Sequence, residues 1–156
     1  MYTWSVYLHN ILRWVIVILL VIGIVRHLTA WLGKKYYTGA DVKRDTYLMG
    51  SAHFMLLLGI FQWAFGPWGL KNIQNSGMGA VMKDAVSRFW AVEHFTTMLI
   101  AIVLITLGKG VAKKGITDVA KHKKAFIFFA LAAVFIIVAM PWPWRDGIAR
   151  ALYPSI

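Results

Sequence analysis

Four of the chain's five histidines lie inside strongly apolar stretches, and they pair by depth. His9 and His94 fall near one end of their stretches, His27 and His53 near the other. An ionisable side chain among lipid tails is costly, and such residues mark function by default. Two imidazoles at matched depth on neighbouring helices are also what a haem iron takes as its two ligands. His9 and His27 are 18 residues apart, five whole helical turns, so both project from one face. Arg13, Ile16, Leu20 and Gly23 line that face. Gly23, one turn from His27, leaves room for a flat ring to approach the backbone. The face below His94 carries Thr97, Met98, Ala101 and Ile105, which are modest in size.

The expected chemistry is therefore bis-histidine ligation of haem b, with one site near each membrane surface. Eighteen residues set the two depths about 27 Å apart at 1.5 Å per residue. That is wide for two haems in one bilayer, so the outer pair His9–His94 is the favoured site and a single haem b is sufficient. The plainer alternative is that these histidines only tie helices together by hydrogen bonds.

Other polar residues fall at the same depths. Arg13 is one turn inside His9, and Glu93 adjoins His94, so an Arg13–Glu93 ion pair is expected between the first and third helices. Glu93 has a second use as a proton acceptor near a quinol, or as the partner of a ligand histidine. Arg13 and Arg26 carry the bidentate guanidinium that suits a haem propionate. His122 sits in Lys121-His122-Lys123-Lys124. It belongs to a basic collar facing anionic headgroups, or it competes with His27 to pair with His53. Asp118, one turn before it, is placed to hold its ring.

The elements that must position these groups are legible from the apolar runs. Four stretches stand out, 6–32, 47–65, 89–107 and 125–140, each near the ~20 residues that span a bilayer. The fourth ends at Pro141-Trp142-Pro143-Trp144, where proline stops the helix and tryptophan favours the interface. The expected fold is all-α, one domain over 1–156, with four transmembrane helices in an up-down bundle. Residues 80–88 and 145–153 read as short interfacial helices, and 75–79 as flexible loop. Ten lysines and arginines fall in the 33–46 and 109–124 loops, which face the cytoplasm by the positive-inside rule. Both termini are then outside, periplasmic in a bacterial inner membrane. The first stretch lacks the basic leader and cleavage site of a signal peptide.

Composition closes several alternatives. The chain is 60% hydrophobic and has no cysteine, which excludes thiolate metal sites, iron–sulfur clusters and Cys-linked haem. Its net charge of +11 is concentrated in two loops and so reads as topology rather than as nucleic-acid binding. No nucleophile triad or phosphate loop is present.

Several stretches resemble a family of small bacterial four-helix integral membrane proteins labelled cytochrome b-like. They are Leu8-His9-Asn10-Ile11-Leu12-Arg13-Trp14, Ser51-Ala52-His53, Arg88-Phe89-Trp90-Ala91-Val92-Glu93-His94, Thr117-Asp118 with Lys121-His122-Lys123-Lys124, and Pro141-Trp142-Pro143. The likeness covers nearly the whole chain. It implies that His9, Arg13, His53, Glu93, His94 and His122 are the family's marked polar residues. His27 lies outside that pattern, which raises His122 as the partner of His53.

Three functions compete. The first is an electron-transfer subunit moving electrons between quinol and a partner, with haem supplying the redox chemistry. The second is a cofactor-free accessory or assembly subunit of a larger membrane complex. The third, a proton-coupled transporter using Glu93 and His94, lacks a helix broken at mid-membrane. With so little mass outside the bilayer, other membrane subunits or a homo-oligomer are expected under any of them.

Overall fold

The computed structural model describes residues 2–152. Four long helices form the body: α1 (Tyr2–Leu32), α2 (Gly39–Phe65), α6 (His94–Gly110) and α7 (Asp118–Ala139). The helical segments Tyr2–Leu32, Gly39–Ser76, Ala85–Lys113 and Asp118–Ala139, which contain these four, are long and apolar enough to cross a membrane. Between α2 and α6 lie three short helices, α3 (Leu70–Ser76), α4 (Met78–Lys83) and α5 (Ala85–Arg88), and a π-helical turn at Phe89–Glu93. Around the bundle, α1 packs on α2, α2 on α6, α6 on α7, and α7 closes back on α1. Neighbours run antiparallel: the end of α1 meets the start of α7 through His27 and His122, and the start of α6 meets the end of α7 through His94 and Ala139. The all-α four-helix expectation holds.

The helices overrun the apolar stretches, because caps rather than hydropathy decide where a helix starts. Thr38 accepts from the Asp41 N–H, and the Asp41 carboxylate accepts from the Thr38 N–H in return. That capping box starts α2 eight residues ahead of residue 47. Thr117 caps α7 by accepting from the Ala120 N–H, seven residues ahead of residue 125. Asp84 caps α5 through the Ser87 N–H and so splits the single helix expected over 80–88. The 75–79 stretch contains the end of α3 and the start of α4, which turn at Gly77 with φ +80°. The tail after α7 forms turns rather than a helix through Leu152, with Gly147 at φ +74°. Tyr153 lies outside the described residues.

The buried face of α1 is Arg13, Ile16, Leu20, Gly23 and His27, the face expected from the 18-residue spacing. The core it joins contains Leu48, Ala52, Ala101, Ile105, Phe129, Ala132 and Ile136. The flat ring beside Gly23 is that of Phe129, which is fully buried. A Cβ at Gly23 would stand 3.3 Å from Phe129 Cδ2, and one at Gly108 would fall inside contact distance of the opposite ring edge. Two glycines on facing helices thus clamp one phenyl ring, the close backbone approach that small residues allow between membrane helices. The His27 ring sits against the same phenyl group, centroid to centroid 5.5 Å. Phe129 therefore forms an apolar floor between the two ends of the bundle.

Candidate functional site

At the end carrying the amino terminus, the four helices border a partly open cavity of about 210 Å³. Close-packed interiors hold few voids larger than one water, so this space is a built feature. His9, Arg13, Trp90, His94, Met98 and Arg150 line its polar part, and Ile16, Ala52, Met55, Leu56 and Ile136 are among its apolar walls. Among the described residues, no Asp or Glu lines it.

His94 is fixed by the backbone. Its Nδ1–H donates to the Ala139 carbonyl at 2.9 Å. That carbonyl is open because residue 143, which would close its helical bond, is a proline without an N–H. Nε2 is left as the acceptor on a ring that lines the cavity. The π-helical turn directly before His94 inserts an extra residue and resets the facing of the helix. Phe89 and Ala91 turn inward, and Trp63 of α2 donates to the Ala91 carbonyl at 2.8 Å. Phe89 and Trp90 pack their rings on His94 at 5.7 and 5.6 Å.

His9 takes none of the hydrogen bonds that tie the other four histidines among the described residues. Arg13 Nη2 donates to the carbonyls of Ala151 and Leu152 at 3.3 and 3.0 Å, while its Nε is buried without a partner among the described residues. Trp90 Nε1 is also buried without a partner among the described residues. Arg150 lies over the Trp90 ring at 4.6 Å. A buried donor with no acceptor costs about 1–3 kcal/mol. Two of them beside one cavity, with no acid in its lining, suit a ligand that carries acceptor oxygens.

At the opposite end a second polar cluster is packed solid. His27 Nδ1 and His122 Nδ1 are 2.8 Å apart, and His27 Nε2 lies 3.1 Å from Asp45 Oδ2. His122 Nε2 donates to the Tyr36 carbonyl at 3.2 Å, and the Tyr37 hydroxyl donates to Asp45 at 2.6 Å. Arg26 clasps Asp41 through two bonds of 2.8 and 3.1 Å. Arg44 bridges Asp41 and Asp45 at 2.9 and 3.4 Å. His27 and His122 are 0% exposed, and Asp41 and Asp45 are 1% exposed.

Burial, reinforced by the bond to Asp45, holds the Tyr37 phenol well above its ordinary value. The sign follows from linkage. Unfolded Tyr37 loses its proton near pH ~10 while the folded phenol keeps it, so its contribution is present below that pH and lost as pH rises beyond it. Thermal unfolding of the protein and of Tyr37→Phe across this range is expected to show the wild-type advantage shrinking above pH ~10. An advantage that persists undiminished would show that the phenol ionises normally.

Several expected pairings are replaced by others. Arg13 does not pair with Glu93: the π-turn directs Glu93 outward to Arg88 at 2.6 Å, both half-exposed. Arg26 is committed to Asp41. His53 meets neither His27 nor His122; it lies on the exposed side of α2 and bonds Thr106 Oγ1 at 2.9 Å. Asp118 contacts Lys121 at 3.7 Å, and no bond from it to His122 occurs among the described residues. Both ring nitrogens of His27 and of His122 are engaged, so the residues of this end do not fit an axial ligand pair. Asp41, Asp45 and Tyr37 were not among the residues singled out from the sequence, and Arg44 was read only as one of the loop cations that set the topology. Their signal was there: of six acids, two stand four residues apart at the head of α2, facing Arg26 and His27 across the shortest connection between spans.

Compared with known families, curated proteins and solved structures, the chain matches none.

Proposed function

We propose that the chain is an electron-transfer subunit of a membrane complex that holds one haem b in the cavity between His9 and His94. The observation that carries this reading is the state of the two imidazoles. His94 is oriented by a backbone carbonyl through Nδ1, the arrangement that prepares a histidine as a ligand through its other nitrogen. His9 lines the same cavity and is uncommitted. Haem b, when bound, supplies reversible one-electron chemistry. The chain's own residues bind and shield it. Arg13 and Arg150 offer guanidinium donors to carboxylates, Trp90 Nε1 offers a further donor, and the apolar walls exclude water. Purification of the full chain in mild detergent from haem-replete cells is expected to give a reduced-minus-oxidised spectrum of the b type. A colourless, folded preparation would overturn the reading and favour the cofactor-free accessory subunit.

The same reading sets the protein in a bacterial inner membrane with both termini periplasmic. The end bearing Lys34, Lys35, Lys43, Arg44 and the Lys109–Lys124 cations is then cytoplasmic. The cysteine-free sequence makes this simple to check. Ser76→Cys is expected to react with an impermeant maleimide added outside, and Gly115→Cys only after lysis. The reverse pattern would invert the topology. Quinol on one side and further membrane subunits on the other are the natural electron partners of such a chain.

A further inference from the structure

We propose that Asp45, His27 and His122 form a buried store for a single proton, lying beneath Tyr36 and Tyr37 on the loop side and closed toward the cavity by Phe129.

The inference rests on counting hydrogens. His122 Nε2 faces a carbonyl oxygen, which only accepts, so that nitrogen carries a hydrogen. The two Nδ1 atoms, 2.8 Å apart, need one hydrogen between them. His27 Nε2 and the Asp45 carboxylate, 3.1 Å apart, need one more. Three contacts take three hydrogens, and two neutral rings supply two. The third is an excess proton, balanced by the one negative charge of Asp45.

That proton has three places to sit without any heavy atom moving. On His27, both ring N–H groups donate, one to Asp45 and one to His122. On His122, its Nδ1–H donates back to His27 Nδ1, and His27 keeps Nε2–H toward Asp45. On Asp45, a carboxylic O–H donates to His27 Nε2, and His27 Nδ1–H donates to His122. Each step breaks one N–H or O–H bond and forms another at the facing atom. Removing the proton sets two lone pairs against each other, and adding a second sets N–H against N–H. The cluster therefore holds one proton, neither none nor two.

Its surroundings choose among the three states. Tyr37 and Arg44 both donate into the Asp45 carboxylate. Arg26 and Asp41 neutralise each other beside it, and Lys121 lies over the Tyr37 ring at 5.9 Å. With two hydrogens already directed at the Asp45 carboxylate, the proton is assigned to the histidine pair. Tyr36, whose carbonyl accepts from His122 Nε2, is itself 82% exposed, so the pair lies one residue below the loop surface. On the other side Phe129, clamped by Gly23 and Gly108, separates the pair from the cavity.

Nitrogen-15 NMR of the full chain, labelled at histidine and held in lipid nanodiscs near neutral pH, tests it directly. The wild type is expected to show one imidazolium-like ring signal set and a nitrogen–nitrogen coupling across the Nδ1–Nδ1 bond. In Asp45→Asn the side-chain amide can donate to His27 Nε2, so the network closes without the extra proton. The imidazolium signal is then expected to vanish while the coupling persists. Tyr37→Phe leaves the carboxylate and both rings, and should keep both signals, so a misfolded Asp45→Asn does not end the test. Two neutral rings beside an ionised Asp45 in the wild type, no coupling, or an imidazolium that survives Asp45→Asn would each overturn the proposal.

Discussion

His94→Ala is expected to remove the b-type absorption of the purified protein completely, and His9→Ala to remove most of it. His53→Ala and Tyr37→Phe should leave the spectrum unchanged. The separation is sharp because the residues occupy different environments. His94 and His9 line the cavity, His53 bonds Thr106 on the outer side of α2, and Tyr37 belongs to the cluster at the other end. Loss of folding is a poor explanation for bleaching by His94→Ala. The side chain already faces a void, and its one hydrogen bond, to the Ala139 carbonyl, is worth about 1 kcal/mol. Circular dichroism of the variant should match the wild type. A spectrum that survives His94→Ala and disappears in His53→Ala would move any haem to the exposed face of α2. It would leave Arg13 Nε and Trp90 Nε1 without a ligand to explain them.

The fold was legible because lipid imposes it. Backbone groups in hydrocarbon must bond within their own segment, so four apolar runs become four helices whatever their side chains. The buried face of α1 followed from the 3.6-residue period, and Arg13, Ile16, Leu20, Gly23 and His27 all lie on it. Helix starts were less legible, since Thr38 and Thr117 set them through caps in polar sequence that hydropathy ignores. The cavity end was read in part. His9, Arg13 and His94 share it, but depth alone could not show the π-turn that sends Glu93 to Arg88. The other end was misread for a specific reason. Matching histidines by depth assumes that each faces the bundle axis. His53 does not, because Ala52, one residue away, takes the buried position on α2. His27 found its partners on α7 and in the polar head of α2, a stretch that the apolar boundary at residue 47 had set outside the bundle.

Asp41→Ala should be among the most destabilising single changes in the chain, at about 4 kcal/mol. Four groups lose an acceptor together: Arg26, Arg44, and the N–H and hydroxyl of Thr38. Breaking a buried ion pair by removing one partner costs about 3–5 kcal/mol, because the other charge stays behind unpaired. The guanidiniums are 29% and 18% exposed, and water reaching them reduces that penalty toward its lower end. Loss of the capping box at the start of α2 adds about 1 kcal/mol. Asp41→Asn separates the two parts, since an amide oxygen still accepts from Thr38 but carries no charge. It should recover the capping part and little of the rest. Reversible unfolding in mixed micelles, followed by circular dichroism, measures both variants on one scale. Equal losses from Asp41→Asn and Asp41→Ala would assign the whole effect to charge. A loss below 1 kcal/mol for either would mean that Arg26 and Arg44 find water or lipid phosphate as readily as they find Asp41, and that α1 and α2 are held together by their apolar faces alone.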